Sequence, residues 1–198
     1  GEISAVAKSA KATAEELLKW IELDYDVISL VSSCSLMLKF EWPLIVPEND
    51  AVKRLSARTF DISEYLIGID KNEGLVEGMK PIKGGVAVHM ACHARAQNIG
   101  QKAAELLRLI PDTEISVIER CSGHGGSWGV MKKNFEVALK IGTPVYREIK
   151  KIAPSQVVSE CPLARDHIMQ GLEKLDGGIS EIGKASHPVE LIASAYDL

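Results

Sequence analysis

Short runs of β-branched residues alternate with segments of helical periodicity throughout the C-terminal part of the chain. The runs are GVAVHMAC, EISVIERC and QVVSEC, and helices are predicted after them over residues 94–110, 130–151 and 162–175. This alternation predicts an α/β fold in which a mainly parallel sheet is flanked by helices. A last helix is predicted in the segment SHPVELIASAYDL.

The N-terminal part of the chain has a less regular pattern. Helices are predicted over residues 5–22, 36–40, 49–58 and 61–73, and a β-rich run, YDVISLVSSC, follows the first of them. Asp61 is expected to cap the last of these helices, and Pro43 with Pro47 predicts an irregular connection. The stretch 72–85 is rich in Gly, Lys and Glu, which predicts a boundary between two lobes, residues 1–75 and 76–198.

The composition argues against several classes of protein. The formal net charge is −4 over 198 residues, whereas a nucleic-acid-binding protein usually carries a basic surplus, so no nucleic-acid partner is expected. No uninterrupted apolar run approaches the ~18 residues that a membrane span needs. We therefore expect a cytoplasmic protein that reaches the inner membrane, if at all, through its partners. The chain begins with Gly and enters a helical pattern at once, as expected for a fragment of a longer polypeptide.

The four cysteines share one kind of position. Cys34, Cys92, Cys121 and Cys161 each close a β-branched run just before a helix or a glycine-rich turn, and none belongs to a Cys-x-x-Cys pair. In a parallel α/β sheet, ligands bind outside the carboxyl ends of the strands, where helix N-termini favour the thiolate form. The cysteines are therefore expected to converge on one metal or cluster site. The alternative is that each is a small buried hydrophobic residue.

The segment SGHGGSWG, residues 122–129, is the second candidate feature. Gly123, Gly125 and Gly126 allow a close approach of the main chain to a ligand, and successive N–H groups in such a loop can surround an anion such as a cluster sulfide. The segment matches neither the Walker A motif nor the dinucleotide fingerprint. The alternative is a tight turn between a strand and a helix that binds nothing.

Histidine and arginine side chains lie near these cysteines in the sequence. His93 and His124 are each candidates for a fourth metal ligand, a proton carrier or a hydrogen-bond donor to a cluster sulfur. His89 lies within a predicted strand, where a structural role is expected. The remaining histidines are expected to be ordinary surface or core residues, and three arginines could balance the charge of thiolates. These residues are His167, His187, Arg95, Arg120 and Arg165.

The segment that begins at HMACHARAQ and continues through SGHGGSWG to SECPLARDHI resembles the cysteine-rich "CCG" domain. This domain is found in the cysteine-rich subunits of heterodisulfide reductase and of anaerobic glycerol-3-phosphate dehydrogenase, a family of iron-sulfur oxidoreductases. The resemblance is firmest over residues 86–172. Residues 24–42 resemble, more weakly, the closing segment of a preceding copy of the motif.

Each copy of the family's motif has an opening Cys, a Cys-Cys-Gly and a closing Cys-x-x-Cys. By this resemblance Cys92 matches the opening cysteine, Cys121 the first of the doublet and Cys161 the first of the closing pair. Cys34 matches the first closing cysteine of the upstream copy.

The chain also departs from the family's motif. Ser122, Ala164 and Met37 stand where the family has further cysteines. The five-thiolate site that the motif implies therefore cannot be assembled from these residues, and a retained cluster would have a different set of ligands.

The resemblance implies both a fold and a function. The fold is Rossmann-like, with the end of a first lobe and all of a second, pseudo-symmetric lobe in this chain. The function is electron transfer in a larger complex, with other subunits or upstream ferredoxin-type domains as partners. We expect Cys92, Cys121 and Cys161 to ligate an iron-sulfur cluster, in the first place a 4Fe-4S cluster, with Cys34 or His124 as the fourth ligand.

Two other functions remain open from the sequence. The three thiolates of the complete copy and the imidazole of His124 would also form a tetrahedral zinc site, which would be redox-silent and structural. A chain that binds no metal would serve as a docking module for partner subunits.

Overall fold

Five short strands and ten α-helices make up the part of the chain that the computed structural model describes, residues 2–176 and 186–198. The strands are β1 (Val27–Ser29), β2 (Thr59–Asp61), β3 (Val86–His89), β4 (Ile115–Ile118) and β5 (Gln156–Ser159). The helices are α1 (Ile3–Ile21), α2 (Ser32–Leu36), α3 (Trp42–Ile45), α4 (Asp50–Ala57), α5 (Ile62–Glu73), α6 (Cys92–Ala96), α7 (Lys102–Leu107), α8 (Phe135–Ile152), α9 (Pro162–Asp176) and α10 (Pro188–Ala195). A π-helical turn, Met37–Glu41, joins α2 to α3.

All the strands named above pair in parallel. One sheet contains β1 and β2, and the other has the order β4-β3-β5 with β3 in the centre. Val86 and Val88 of β3 pack in one apolar cluster with α7 and α10, whereas Ala87 packs in a second cluster with α8 and α9. Helices therefore cover both faces of the larger sheet, as is usual for parallel sheets. The predicted α/β fold, with small parallel sheets flanked by helices, is confirmed.

The N-terminal helices have their own apolar core. Ala10 and Ala14 of α1 pack with Val52 and Leu55 of α4, and all four side chains are fully buried. The predicted helices in residues 5–22, 49–58 and 61–73 are all present. Asp61 caps α5 as expected, because its side chain accepts the Ser63 N–H and forms a capping box.

The predicted irregular connection at Pro43 is wrong. Helical backbone runs from α2 through the π-helical turn into α3, and Pro43 is the second residue of α3. A proline cannot donate to the carbonyl four residues earlier, and its ring crowds that carbonyl. Here the carbonyl is that of Lys39, which accepts a 2.6 Å hydrogen bond from the Ser56 hydroxyl instead. The wider π-helical turn and this side chain together let the helix continue past the proline.

Three other details of the secondary structure differ from the prediction. Strand β2 was not predicted, because its three residues lie between two strong helical patterns and pair with β1 from elsewhere in the chain. The helix predicted over residues 94–110 is divided into α6 and α7, since Asn98 and Gly100 both have positive φ values, +54° and +86°. The helix predicted over residues 130–151 begins only at Phe135.

The two sheets are connected through their helices. α2 packs against α6, and α5 packs against α7. The expected boundary at residues 72–85, between lobes 1–75 and 76–198, stays a prediction. Within the described ranges, no helix is both long enough and apolar enough to cross a membrane.

Candidate metal centre

A cavity of about 390 Å³ lies beyond the carboxyl ends of β3, β4 and β5. Each of these strands is followed by one cysteine, and all three cysteines line the cavity together with three histidines. These residues are Cys92, Cys121, Cys161, His89, His93 and His124. The predicted convergence at this edge of the sheet therefore places three thiols and three imidazoles around one space, as expected for ligand sites in parallel sheets.

Cys34 does not line this cavity, and the prediction that it closes a strand is wrong. β1 ends at Ser29, and Cys34 lies inside α2 with an exposed side chain. The helix begins four residues earlier than predicted because Val31 takes an extended conformation and its carbonyl accepts the N–H groups of Cys34 and Ser35. The helix that contains Cys34, α2, packs on α6, the helix that begins at Cys92.

Cys121 lies in the glycine-rich loop, with its sulfur 3.4 Å from the N–H of Gly123. Gly123 has φ +94°, and a Cβ atom there would lie 2.2 Å from the carbonyl oxygen of Ala138 in α8. The Tyr146 hydroxyl, also from α8, donates to the carbonyl of Ser122 at 3.3 Å. The loop is thus held tightly against α8, and only glycine fits at position 123.

Cys161 is the buried cysteine of the site and directly precedes α9. Its main-chain N–H lies 3.4 Å from the hydroxyl oxygen of Ser159. Its sulfur lies 3.8 Å from Nε2 of His124. The loop residue His124 is therefore in contact with the sulfur of a different strand end.

Cys92 is the first residue of α6 and is exposed. A guanidinium nitrogen of Arg95 lies 3.8 Å from its sulfur, so the predicted placement of an arginine beside a thiol is confirmed at this position. The other two arginines that were predicted to face thiols have carboxylate partners instead. Arg120 pairs with Glu148, and Arg165 pairs with Asp166 and Glu190.

His89 contacts the residue that directly precedes Cys121 and the last residue of β5. A structural role is expected for it from the sequence, without named partners. Its Nε2 lies 2.9 Å from the carbonyl oxygen of Arg120, and its Nδ1 lies 3.1 Å from the Ser159 hydroxyl. Burial lowers the pKa of His89 from 6.5 to about 4, which keeps the ring neutral. A neutral ring that donates through Nε2 must accept at Nδ1, so the Ser159 hydroxyl donates to it.

A pair of buried carboxyl groups lies behind the cavity and was not predicted as a pair. Asp61 at the end of β2 and Glu160 next to Cys161 are 2% and 3% exposed. Ser63 donates to Glu160 at 2.6 Å, and Ser35 and Gln97 both donate to Asp61. Burial, and then the charge of Asp61, raises the pKa of Glu160 from 4.5 to about 8. This network joins the carboxyl ends of the two sheets.

The side chains that replace the family's further cysteines occupy different places. Ser122 and Ala164 both line the cavity and are buried. Met37 lies in the π-helical turn, away from the cavity lining. Cysteines at positions 122 and 164, where the family has them, would therefore face the same cavity as Cys92, Cys121 and Cys161.

Within the described residues, the cavity side chains do not form a ready-made site for a single metal ion. No three His, Cys, Asp or Glu side chains in residues 2–176 and 186–198 converge on a common point. A tetrahedral zinc site requires each ligand atom about 2.0–2.3 Å from the ion. Thiolates are the usual protein ligands of iron-sulfur clusters, and three of the side chains that line the cavity are thiols.

A comparison with family models gives one match to this region. Residues 86–164 match the model of the cysteine-rich domain called CCG. The matched segment begins with β3 and ends at Ala164 in α9, so it contains the three cavity cysteines and the glycine-rich loop.

Curated proteins with similar sequences are longer than this chain. One subunit of the anaerobic glycerol-3-phosphate dehydrogenase from Escherichia coli (strain K12) is 26% identical over 170 residues, 85% of this chain and 40% of that protein. One subunit of the fumarate reductase (CoM/CoB) from Methanothermobacter marburgensis is 30% identical over 177 residues, 87% of this chain and 33% of that protein. An iron-sulfur protein of Methanocaldococcus jannaschii is 29% identical over 171 residues, 85% of this chain and 31% of that protein.

The chain thus spans between 31% and 40% of the length of these three relatives. The family match covers the three cavity cysteines and the glycine-rich loop, and the similarity to the relatives extends over most of this chain. Residues 86–164 are a cysteine-rich domain of the CCG family, and the chain is a distant homologue of these oxidoreductase subunits and iron-sulfur proteins.

Proposed function

We propose that this chain is an electron-transfer module of an iron-sulfur oxidoreductase, in which Cys92, Cys121 and Cys161 ligate an iron-sulfur cluster. The observation that carries the proposal is that three cysteines from three different strand ends line one cavity. An iron-sulfur cluster, when bound, supplies one-electron transfer at a potential that is set by its surroundings.

The residues around the cysteines support ligation by thiolates. Each cavity sulfur has a nitrogen near it: a guanidinium N–H of Arg95 for Cys92, the main-chain N–H of Gly123 for Cys121 and the Nε2 atom of His124 for Cys161. N–H donors stabilise negative charge on sulfur and raise the potential of a bound cluster. Gly125 and Gly126 line the cavity, and we propose that the main chain of the glycine-rich loop, including Gly123, contacts the cluster.

Partners of the module are proposed from its relatives. Two of the relatives are named as subunits, one of a glycerol-3-phosphate dehydrogenase and one of a fumarate reductase. We infer that this chain also exchanges electrons with other subunits or with ferredoxin-type domains of a larger protein. The chain itself would hold the cluster and tune it, and the substrate would be converted elsewhere in the complex.

The test is the metal and sulfide content of protein purified without oxygen. We expect iron and acid-labile sulfide in similar amounts, and we expect Cys121→Ser to remove most of both. Cys34→Ser is the matched control for the cavity, because Cys34 is also an exposed cysteine but lies outside it. Retention of the full iron content by Cys121→Ser would contradict the assignment of the ligands. Loss of iron in Cys34→Ser would identify Cys34 as the fourth ligand.

A metal-binding or docking module without redox activity is the second candidate. It is favoured by one observation: Ser122 and Ala164 line the cavity where the family has thiols, which leaves fewer ligands than the motif provides. Zinc without sulfide would support a structural metal site. Absence of iron, zinc and sulfide, with the exposed thiols of Cys34, Cys92 and Cys121 open to alkylation, would support a docking module.

A further inference from the structure

His124 is held in one orientation by its own loop. The N–H of Gly126 points at Nδ1 of the ring with a separation of 2.9 Å, whereas the Gly126 carbonyl oxygen lies 3.4 Å from the same atom. The other ring nitrogen, Nε2, lies 3.8 Å from the sulfur of Cys161. One nitrogen thus faces a main-chain donor and the other faces a thiol.

This geometry selects the tautomer of the ring. A nitrogen that accepts a hydrogen bond from an N–H group has a lone pair and no proton. The single proton of the neutral imidazole therefore lies on Nε2, where it points at the Cys161 sulfur. The opposite tautomer would exchange the 2.9 Å bond from the Gly126 N–H for a 3.4 Å contact from Nδ1 to the Gly126 carbonyl oxygen and leave that main-chain donor without an acceptor.

We propose that His124 is a hydrogen-bond donor that positions and stabilises the Cys161 thiolate, and that it is not a metal ligand. This inference rests on the proposed function and deepens it. Ligation through Nε2 would require a lone pair on that atom, so the proton would have to move to Nδ1 and the bond from Gly126 would be lost. The fourth ligand of the cluster then has to come from another group, and a zinc site that includes His124 is disfavoured.

The glycine-rich loop also places a hydrogen-bond donor beside the sulfur of a second cysteine. Its Gly123 N–H lies 3.4 Å from the Cys121 sulfur, two residues after that cysteine. One loop thus provides a donor to each of two sulfurs that come from different strand ends. This supports a role for residues 122–126 as hydrogen-bond donors to sulfur. The donors are main-chain N–H groups and, in addition, the side chain of His124.

The tautomer is tested first on metal-free protein, by two-bond ¹⁵N–¹H correlation spectra of ¹⁵N-histidine-labelled chain. We expect the His124 signals to show a protonated Nε2 and an unprotonated Nδ1. His89 is an internal reference, because its Nε2 donates to the Arg120 carbonyl. A protonated Nδ1 in His124 would overturn the proposal. This measurement does not depend on whether the chain binds iron, so its failure and the failure of the proposed function are distinguishable.

The second test uses the iron-loaded protein and the variants His124→Leu and His124→Gln. We expect both variants to keep the iron content of the wild type, with a lower reduction potential in His124→Leu and partial recovery in His124→Gln, whose amide can donate. Loss of iron in His124→Leu at an unchanged fold would show that His124 is a ligand and overturn the proposal. An unchanged potential in His124→Leu would also overturn it, because the lost donor would then have no effect on sulfur.

Discussion

His89 donates from Nε2 to the main-chain carbonyl of Arg120 at 2.9 Å, and this bond ties the end of β3 to the loop that carries Cys121. The other nitrogen of the ring accepts from Ser159, whose oxygen in turn lies 3.4 Å from the Cys161 N–H. A single buried imidazole therefore connects the loops that follow the two outer strands.

The stability of the protein should depend on the protonation of His89. Burial lowers its pKa from 6.5 to about 4 in the folded state, so folding favours the neutral ring. This contribution is fully present above pH 6.5 and is lost as the pH falls towards 4, with a total of about 3 kcal/mol. Urea unfolding between pH 4 and 7.5 measures it, and His89→Gln should remove this part of the pH dependence. The measurement is best made in a Glu160→Gln background, because Glu160 titrates in the same range.

The same pH dependence in the double variant His89→Gln, Glu160→Gln as in the single variant Glu160→Gln would contradict this assignment. At pH 7, His89→Leu should lower the free energy of unfolding by about 2–4 kcal/mol, because the Arg120 carbonyl and the Ser159 hydroxyl both lose a buried partner. His89→Gln, which has a donor and an acceptor, should cost less.

Glu160 should contribute to stability with the opposite dependence on pH. Its pKa is raised from 4.5 to about 8 in the folded state, so folding favours the protonated carboxyl group. Stability from this group is present below pH 4.5 and is lost as the pH rises towards 8. Glu160→Gln keeps an acceptor for Ser63 and places an N–H group towards Asp61, so it should stabilise the protein at pH 7.5 and have little effect at pH 4.5. A lower free energy of unfolding for this variant at pH 7.5 would contradict the prediction.

Two glycines of the loop should differ in their tolerance of a methyl group. A Cβ at Gly123 would lie 2.2 Å from a main-chain oxygen of α8, whereas a Cβ at Gly126 would meet open space, and both residues have positive φ. Gly126→Ala should lower the free energy of unfolding by about 1–2 kcal/mol, which is the backbone strain alone. Gly123→Ala adds a clash with main chain and should cost at least about 3 kcal/mol. Equal losses in denaturant unfolding would show that α8 moves away freely from the loop.

A thiol restored at Ala164 should strengthen iron binding. Ala164 lines the cavity and is 1% exposed, at the position of the last family cysteine. Ala164→Cys should increase the iron bound per chain and slow its removal by a chelator, because an additional thiolate becomes available. Ala94→Cys is the control, since Ala94 is also buried in a helix after a cavity cysteine but does not line the cavity. Equal iron contents in the two variants would contradict the placement of the cluster.

The sequence by itself determined the elements of the larger sheet and the edge at which three of the cysteines meet. Local periodicity is sufficient for this, because strands β3, β4 and β5 are short runs rich in β-branched residues and the helices between them are amphipathic. The order of parallel strands then places Cys92, Cys121 and Cys161 at one edge. The cap at Asp61 was predicted for the same reason, since a capping box is a local pattern.

The tertiary structure alone decided which polar groups meet. Strand β2 pairs with β1 from elsewhere in the chain, and the Ser56 hydroxyl from α4 donates to the Lys39 carbonyl that Pro43 cannot reach. The bond between His89 and Ser159 joins residues 70 positions apart, and the bond between Ser63 and Glu160 spans 97 positions. No local pattern encodes such contacts, because they result from how the helices and sheets pack. For that reason Cys34 lies outside the cavity although its sequence context resembles that of the other cysteines.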